Sequence, residues 1–82
     1  MKEDVREFSL EAIQPNLRLI QTLESIEALC RSIQLSGQSD PVHVWFDGWR
    51  FRIVDGEKRW RACRKLGMTT VNAVIVEVTY SL

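Results

Sequence analysis

The sequence predicts an α+β fold in one domain over residues 1–82: a small mixed β-sheet with an Asp-Gly hairpin and two packed helices. Leu23, Ile26, Leu29, Cys30 and Ile33 recur at helical spacing, and strand-like runs flank Asp47-Gly48. The segment after Asp55 turns from strand-like to helical and stops at Gly67. A chain of this length buries only about 60–65% of the surface its unfolded form exposes, which leaves room for one core and one shallow site.

The first strand is expected over residues 8–13, with an irregular stretch at Gln14-Pro15-Asn16, because proline excludes the residue before it from helix. Thr22 suits an N-cap, so the first helix is expected to begin there and to stop at Gly37. Asp47-Gly48 is the signature of a two-residue type I′ turn. In that register Val42 opposes Ile53, Val44 opposes Phe51 and Phe46 opposes Trp49, which makes one apolar face. His43, Trp45, Arg50 and Arg52 then share the other face, and a one-residue slip would mix the two sets. The second helix is expected over residues 57–66. The last strand is expected over residues 71–78, apolar on both parities except at Asn72 and Glu77, as in a strand covered on both sides.

Net charge is zero, which argues against a protein that coats nucleic acid over its whole surface. The charge is unevenly spread, however: residues 1–40 carry four Lys/Arg and seven Asp/Glu, residues 41–82 seven and four. An anionic partner is therefore expected to meet the second half. Cys30 and Cys63 each fall on the apolar face of a predicted helix and read as buried thiols. One His and two separated Cys give none of the close ligand pairs that zinc needs, so no metal site is expected. The N-terminus has no apolar core of the secretory type, and no run of 18 apolar residues occurs. A soluble, cytoplasmic domain with no membrane partner is the expectation.

The stretch Asp55-Gly56-Glu57-Lys58-Arg59-Trp60-Arg61 places a glycine and three cations where a strand feeds a helix. Unpaired N–H groups and the positive end of the helix dipole already lie there, so the cations are unfavourable unless an anion offsets them, and phosphate is the natural one. At about 100° per residue, Arg59 falls inside the apolar arc formed by Trp60, Ala62, Cys63 and Leu66, while Lys58, Arg61 and Lys65 lie opposite. A guanidinium turned toward a core needs an acceptor. Asp55, Glu57 or a backbone carbonyl would supply it on one reading, a ligand phosphate on the other. Gly56 is either the corner between strand and helix or the point where a phosphate approaches the backbone. The set His43, Trp45, Arg50 and Arg52 would suit stacked bases and a phosphate backbone, or equally an exposed sheet face with cation–π pairs.

The segment Ile53-Val54-Asp55-Gly56-Glu57-Lys58-Arg59-Trp60-Arg61-Ala62, followed by Leu66-Gly67, resembles the GERRxRA…G motif of ParB-type N-terminal domains. Arg31-Ser32-Ile33, then Gly37, Pro41, Val42 and Val44, resemble that family's stretch upstream of the motif, and Ile13, Pro15 and Asn16 resemble its opening. The likeness covers residues 8–78. It implies a ParB/sulfiredoxin-like fold in which Gly56, Glu57, Lys58, Arg59 and Arg61 bind the phosphates of a nucleotide. In partition proteins of this type the nucleotide is CTP, whose binding closes a DNA clamp that helps segregate chromosomes or plasmids. CTP or another nucleoside triphosphate, with or without Mg2+, is thus the implied cofactor, and a homodimer is an implied state.

Several residues depart from the family pattern. Lys58 replaces an arginine and loses its bidentate fork. The opening continues as Leu17-Arg18-Leu19, where only Arg18, from a shifted position, can stand in for the family's arginine. Asp40 replaces a glutamine before Pro41. The second phosphate motif and the DNA-reading helix-turn-helix of partition proteins are expected beyond Leu82, so DNA contact is expected through regions outside this chain. Sulfiredoxins place a catalytic cysteine directly after the glycine, where this chain has Glu57, so reductase chemistry is not expected. The leading expectation is a nucleotide- or DNA-phosphate-binding module. The alternatives are a phosphotransferase or nuclease of the same fold, with Glu57 and Asp55 as the candidate catalytic acids, and an interaction module whose pocket has decayed.

Overall fold

The computed structural model describes residues 4–15 and 26–77. In chain order the elements are β1 (Val5–Ser9), a 3-10 turn (Leu10–Ala12), β2 (Ile13–Gln14), α1 (Glu27–Ser36), β3 (Val42–Phe46), β4 (Phe51–Asp55), α2 (Glu57–Lys65) and β5 (Thr70–Ile75). Thr22, Leu23 and Arg18 lie outside the described residues, and the last strand, expected over residues 71–78, spans Thr70–Ile75, with Val76 and Glu77 already past its end. The five strands form one sheet in the order β1-β5-β3-β4-β2, antiparallel at β1/β5 and β3/β4 and parallel at β5/β3 and β4/β2, which is the mixed sheet expected.

The strand expected over residues 8–13 is two strands on opposite edges of that sheet. β1 ends at Ser9 and β2 begins at Ile13, so the four residue steps between them reach at most about 14 Å. In a flat five-stranded sheet the edges would stand about 19 Å apart. The sheet must therefore curl until its edges meet, and the rings of Phe8 in β1 and Phe51 in β4 touch with centroids 5.0 Å apart. Leu10 is buried at this closure, and its N–H donates to the Thr69 carbonyl at 3.0 Å.

The hairpin of β3 and β4 forms with a four-residue connection rather than two. Asp47 opens the loop instead of sitting at its centre: its Oδ1 accepts N–H bonds from Trp49 and Arg50, both at 2.8 Å, and its own N–H donates to the Arg50 carbonyl at 3.1 Å. Its other oxygen accepts from Arg52 Nε, and these donors hold the carboxyl down to about 2. Captured by the side chain, Trp49 and Arg50 leave the ladder. The register therefore moves by two residues from the one expected: Val44 faces Ile53, Phe46 faces Phe51, and Trp49 is 82% exposed instead of lying opposite Phe46. A two-residue shift preserves parity, so Val42, Val44 and Ile53 remain on one face and are buried. Val42 pairs with Ala73 of β5 rather than with Ile53.

Next to the site the ladder is irregular. His43 pairs with Asp55 but Val44 with Ile53, which leaves Val54 as the extra residue of a bulge just before Gly56. α1 and α2 lie together over the buried face, with Cys30 and Ile33 from α1, Ile26 at its N-cap, and Trp60, Ala62 and Cys63 from α2 in the core. The Cys30 thiol rests on the Ala62 carbonyl at 3.8 Å. α2 ends at Lys65, one residue short of the expected bound, and Gly67 is its stop as expected. The Met68 N–H reaches the Cys63 carbonyl at 3.1 Å and the Gly67 N–H the Arg64 carbonyl at 3.0 Å, a Schellman closure with Gly67 at φ +75°. In β5, Val71, Ala73 and Val74 are buried, so both parities are covered over part of its length.

Candidate functional site

Strand β4 ends at Asp55 and α2 begins at Glu57, so the whole reversal falls on Gly56, which is left-handed at φ +92° and ψ +24°. Glycine is required there on two grounds. A Cβ would stand 3.0 Å from Arg59 Nη1 and 3.2 Å from the Val42 Cα, and the conformation itself disfavours any L side chain. The helix start is thereby pressed against the first residue of β3.

Arg59 turns toward the body of the protein, as its place on the helical wheel indicates, and its side chain is 31% exposed. Its partner is neither Asp55 nor Glu57: Nη2 lies 3.7 Å from Oδ2 of Asp40, which is 68% exposed. Asp40 reaches the site because Pro41 and Val42 lead into β3, the strand on which Gly56 packs. No periodic pattern links residue 40 to residue 59, and the only sequence signal for the pairing is an acid placed directly before the strand that meets the helix start.

Gln38 fixes the loop that carries Asp40. Its Nε2 donates to the Asp40 carbonyl at 2.9 Å and to the Asn72 carbonyl at 2.8 Å, and its Oε1 accepts the Asn72 N–H at 2.9 Å. The amide side chain thus replaces a peptide group at the edge of β5 beyond the start of β3. The sequence alone did not single out this residue.

Glu57, the first residue of α2, is 4% exposed, and neither carboxylate oxygen has a hydrogen-bond partner. Arg61 Nε stands 3.8 Å from Oε1, one helical turn on, too far for a hydrogen bond. Burial pushes the carboxyl up from its ordinary value of 4.5, against the pull of Arg61 and Lys58. The folded state therefore holds the proton more tightly than the unfolded chain does, and Glu57 costs stability progressively as pH rises through and above 4.5. Glu57→Gln is expected to match the parent protein at about pH 4 and to exceed it by about 1 kcal/mol at about pH 8, read from denaturant midpoints. A pH-independent difference would show that the carboxylate is satisfied in solution.

A shallow cavity of about 360 Å³ at this helix start is lined by Leu29, Asp55, Gly56, Glu57, Lys58 and Arg59. Four of the five residues expected to bind phosphate line it, and Arg61 stands apart from it, against Glu57. Three carboxylates, Asp40, Asp55 and Glu57, accompany the three cations Lys58, Arg59 and Arg61. The expected nucleic-acid face is only partly assembled. His43, Trp45 and Arg52 share one side of the hairpin, but Arg50 is in the loop and Arg52 is paired with Asp47. Cys63 is fully buried and burial raises its thiol, so it stands away from the position after the glycine. Among the described residues no group of three His, Cys, Asp or Glu is placed to hold a metal ion, and no helix is long and apolar enough to cross a membrane.

Known proteins resemble this chain in sequence and in fold. The chain is 38% identical over 78 residues to the nucleoid occlusion protein of Geobacillus kaustophilus (strain HTA426), a match that covers 90% of this chain and 28% of that protein. The chain therefore spans under a third of that relative's length. Sulfiredoxin from Arabidopsis thaliana superposes with a TM-score of 0.80 at 26% identity, covering 92% of this chain and 86% of that one. The C-terminally truncated chromosome-partitioning protein ParB from Caulobacter crescentus, complexed with CTP-γ-S, superposes with a TM-score of 0.78 at 30% identity, covering 92% of this chain and 45% of that one. The ParB/sulfiredoxin-like fold implied by the motif is thus the fold observed. Matched from residue 1 to residue 81, this chain belongs to the ParB N-terminal domain family.

Proposed function

We propose that this chain binds a nucleotide through its phosphates at the start of α2, as a module of a ParB-type DNA-associated protein. The observation that carries the reading is the left-handed Gly56 at the start of α2, which together with Lys58 and Arg59 lines an open cavity where a helix start has unpaired amides to offer. A backbone that needs glycine there, at the positive end of a helix and beside a cavity lined by Lys58 and Arg59, suits an anionic ligand. The ParB from Caulobacter crescentus holds CTP-γ-S, which makes CTP the first nucleotide to test. Mg2+ would enter with the phosphates. DNA contact would involve regions outside this chain, and a homodimer is the further assembly to test.

Calorimetric titration of CTP, ATP and GTP tests this, with Arg59→Ala alongside. The expected result is binding of at least one nucleotide, weakened about tenfold or more in Arg59→Ala, as for loss of a charge-assisted hydrogen bond. Absence of binding by all three at millimolar concentration would overturn it. The unpartnered carboxylate of Glu57 in the same cavity favours a second reading, nucleotide turnover, and release of phosphate in the same samples distinguishes it from binding alone.

A further inference from the structure

We infer that Asp40 is a built-in competitor for the nucleotide phosphates, held over Arg59 by the Gln38 side chain, so that ligand binding requires Asp40 to give up that guanidinium. The inference rests on the phosphate-binding reading of the cavity and concerns what regulates it.

Arg59 is about two-thirds buried, its Nη1 lies where a Cβ on Gly56 would meet it, and its Nη2 faces Asp40. At 3.7 Å the Asp40 carboxylate neutralises the guanidinium without forming a hydrogen bond to it. A phosphate oxygen can do better, because it accepts N–H bonds at about 2.8 Å and can engage the planar fork with two oxygens. An ion pair with so exposed a partner is also weak, about 0.2–1 kcal/mol, and readily exchanged. The pair therefore weakens anion binding severalfold, a cost that a polyphosphate with more contacts offsets more readily than a small anion does.

Gln38 keeps the competitor in place. Its three hydrogen bonds tie the Asp40 carbonyl to the Asn72 backbone, which fixes the main chain of residue 40 while its carboxylate stays exposed at the rim. Gln38 is a positioning residue, which acts through Asp40 alone.

The experiment titrates CTP, CMP and inorganic triphosphate against the parent chain, Asp40→Asn, Gln38→Ala and the double variant. Asp40→Asn is expected to tighten CTP and inorganic triphosphate by about three- to tenfold, through the lost pair and the lost repulsion, and CMP by less. Gln38→Ala is expected to tighten triphosphate binding when Asp40 is present and to have no effect on it in the Asp40→Asn background, a dependence that a purely structural role would not produce. Equal or weaker CTP binding by Asp40→Asn, with the parent chain still binding, would overturn this inference and leave the phosphate-binding reading standing. No binding of any of the three ligands to either protein would overturn both.

Discussion

Gly56→Ala is expected to lower the thermal unfolding midpoint by about 10–30 °C and to abolish nucleotide binding. Two costs add. A left-handed conformation costs an alanine about 1–2 kcal/mol, and forcing a methyl group into a packed site typically costs about 1–3 kcal/mol more. The new Cβ would sit 3.2 Å from the backbone Cα of Val42, which belongs to a central strand and cannot yield as a flexible side chain would. The contact with Arg59 Nη1 at 3.0 Å can be relieved, but only by moving the guanidinium away from the cavity. A domain of this size is stable by about 4–12 kcal/mol, so the loss is a large share of the total, and each kcal/mol lowers the midpoint by about 4–8 °C. Gly67→Ala supplies the comparison. Gly67 has a similar φ of +75°, but an added Cβ there meets nothing within 4 Å, so only the conformational cost of about 1–2 kcal/mol is expected. Equal losses in the two variants, measured by circular dichroism melts, would refute the packing part of the argument.

Gly56 also marks how far the site could be read from the sequence. The motif around it was legible because its requirements are local: a glycine for the reversal, cations within one turn of it, and a glycine stop after Leu66. The hairpin was legible in its faces but not in its register. Asp47-Gly48 suggests a two-residue turn, yet the Asp47 carboxylate captures the amides of Trp49 and Arg50, and that side-chain competition decides the loop length. The partner of Arg59 lay beyond any local reading, since Asp40 is brought to it only by the pairing of β3 with β4 and the press of Gly56 on Val42. The break between β1 and β2 was equally hidden. Closure of the curled sheet requires that break, but no glycine or proline marks Leu10–Ala12.

Curling of the sheet and placement of the site are mechanically connected. α2 is held at its start by Gly56 against β3 and along its body by Trp60 against the turn that closes the sheet. The site is therefore built on the start of a helix clamped from two sides, and the bulge at Val54 sets the angle at which β4 delivers the chain into it. Rigidity of this kind would suit the proposed phosphate site, whose ligand contacts would include backbone amides positioned by the helix axis.

Trp60→Ala is the variant that tests the second clamp. Trp60 is 6% exposed, its indole Nε1 donates to the Leu10 carbonyl at 3.3 Å, and Arg64 lies over its ring at 5.5 Å from the centroid. Truncation removes the ring from the core and leaves the Leu10 carbonyl without its donor, and a loss of about 3–5 kcal/mol is expected. Trp60→Phe keeps most of the buried ring but not the N–H, and is expected to lose about 1–2 kcal/mol. The two variants separate stability from ligand recognition. Trp60→Phe, which remains folded, is expected to bind nucleotide as the parent chain does, because the indole faces away from the cavity residues Gly56, Lys58 and Arg59 and contacts the turn instead. If Trp60→Phe were as destabilised as Trp60→Ala, the hydrogen bond to Leu10 and not the packed ring would be what holds the curled edge of the sheet on α2. If its nucleotide affinity fell while its fold persisted, the two clamps on the helix would have to act as one, with closure of the sheet setting the position of the phosphate site.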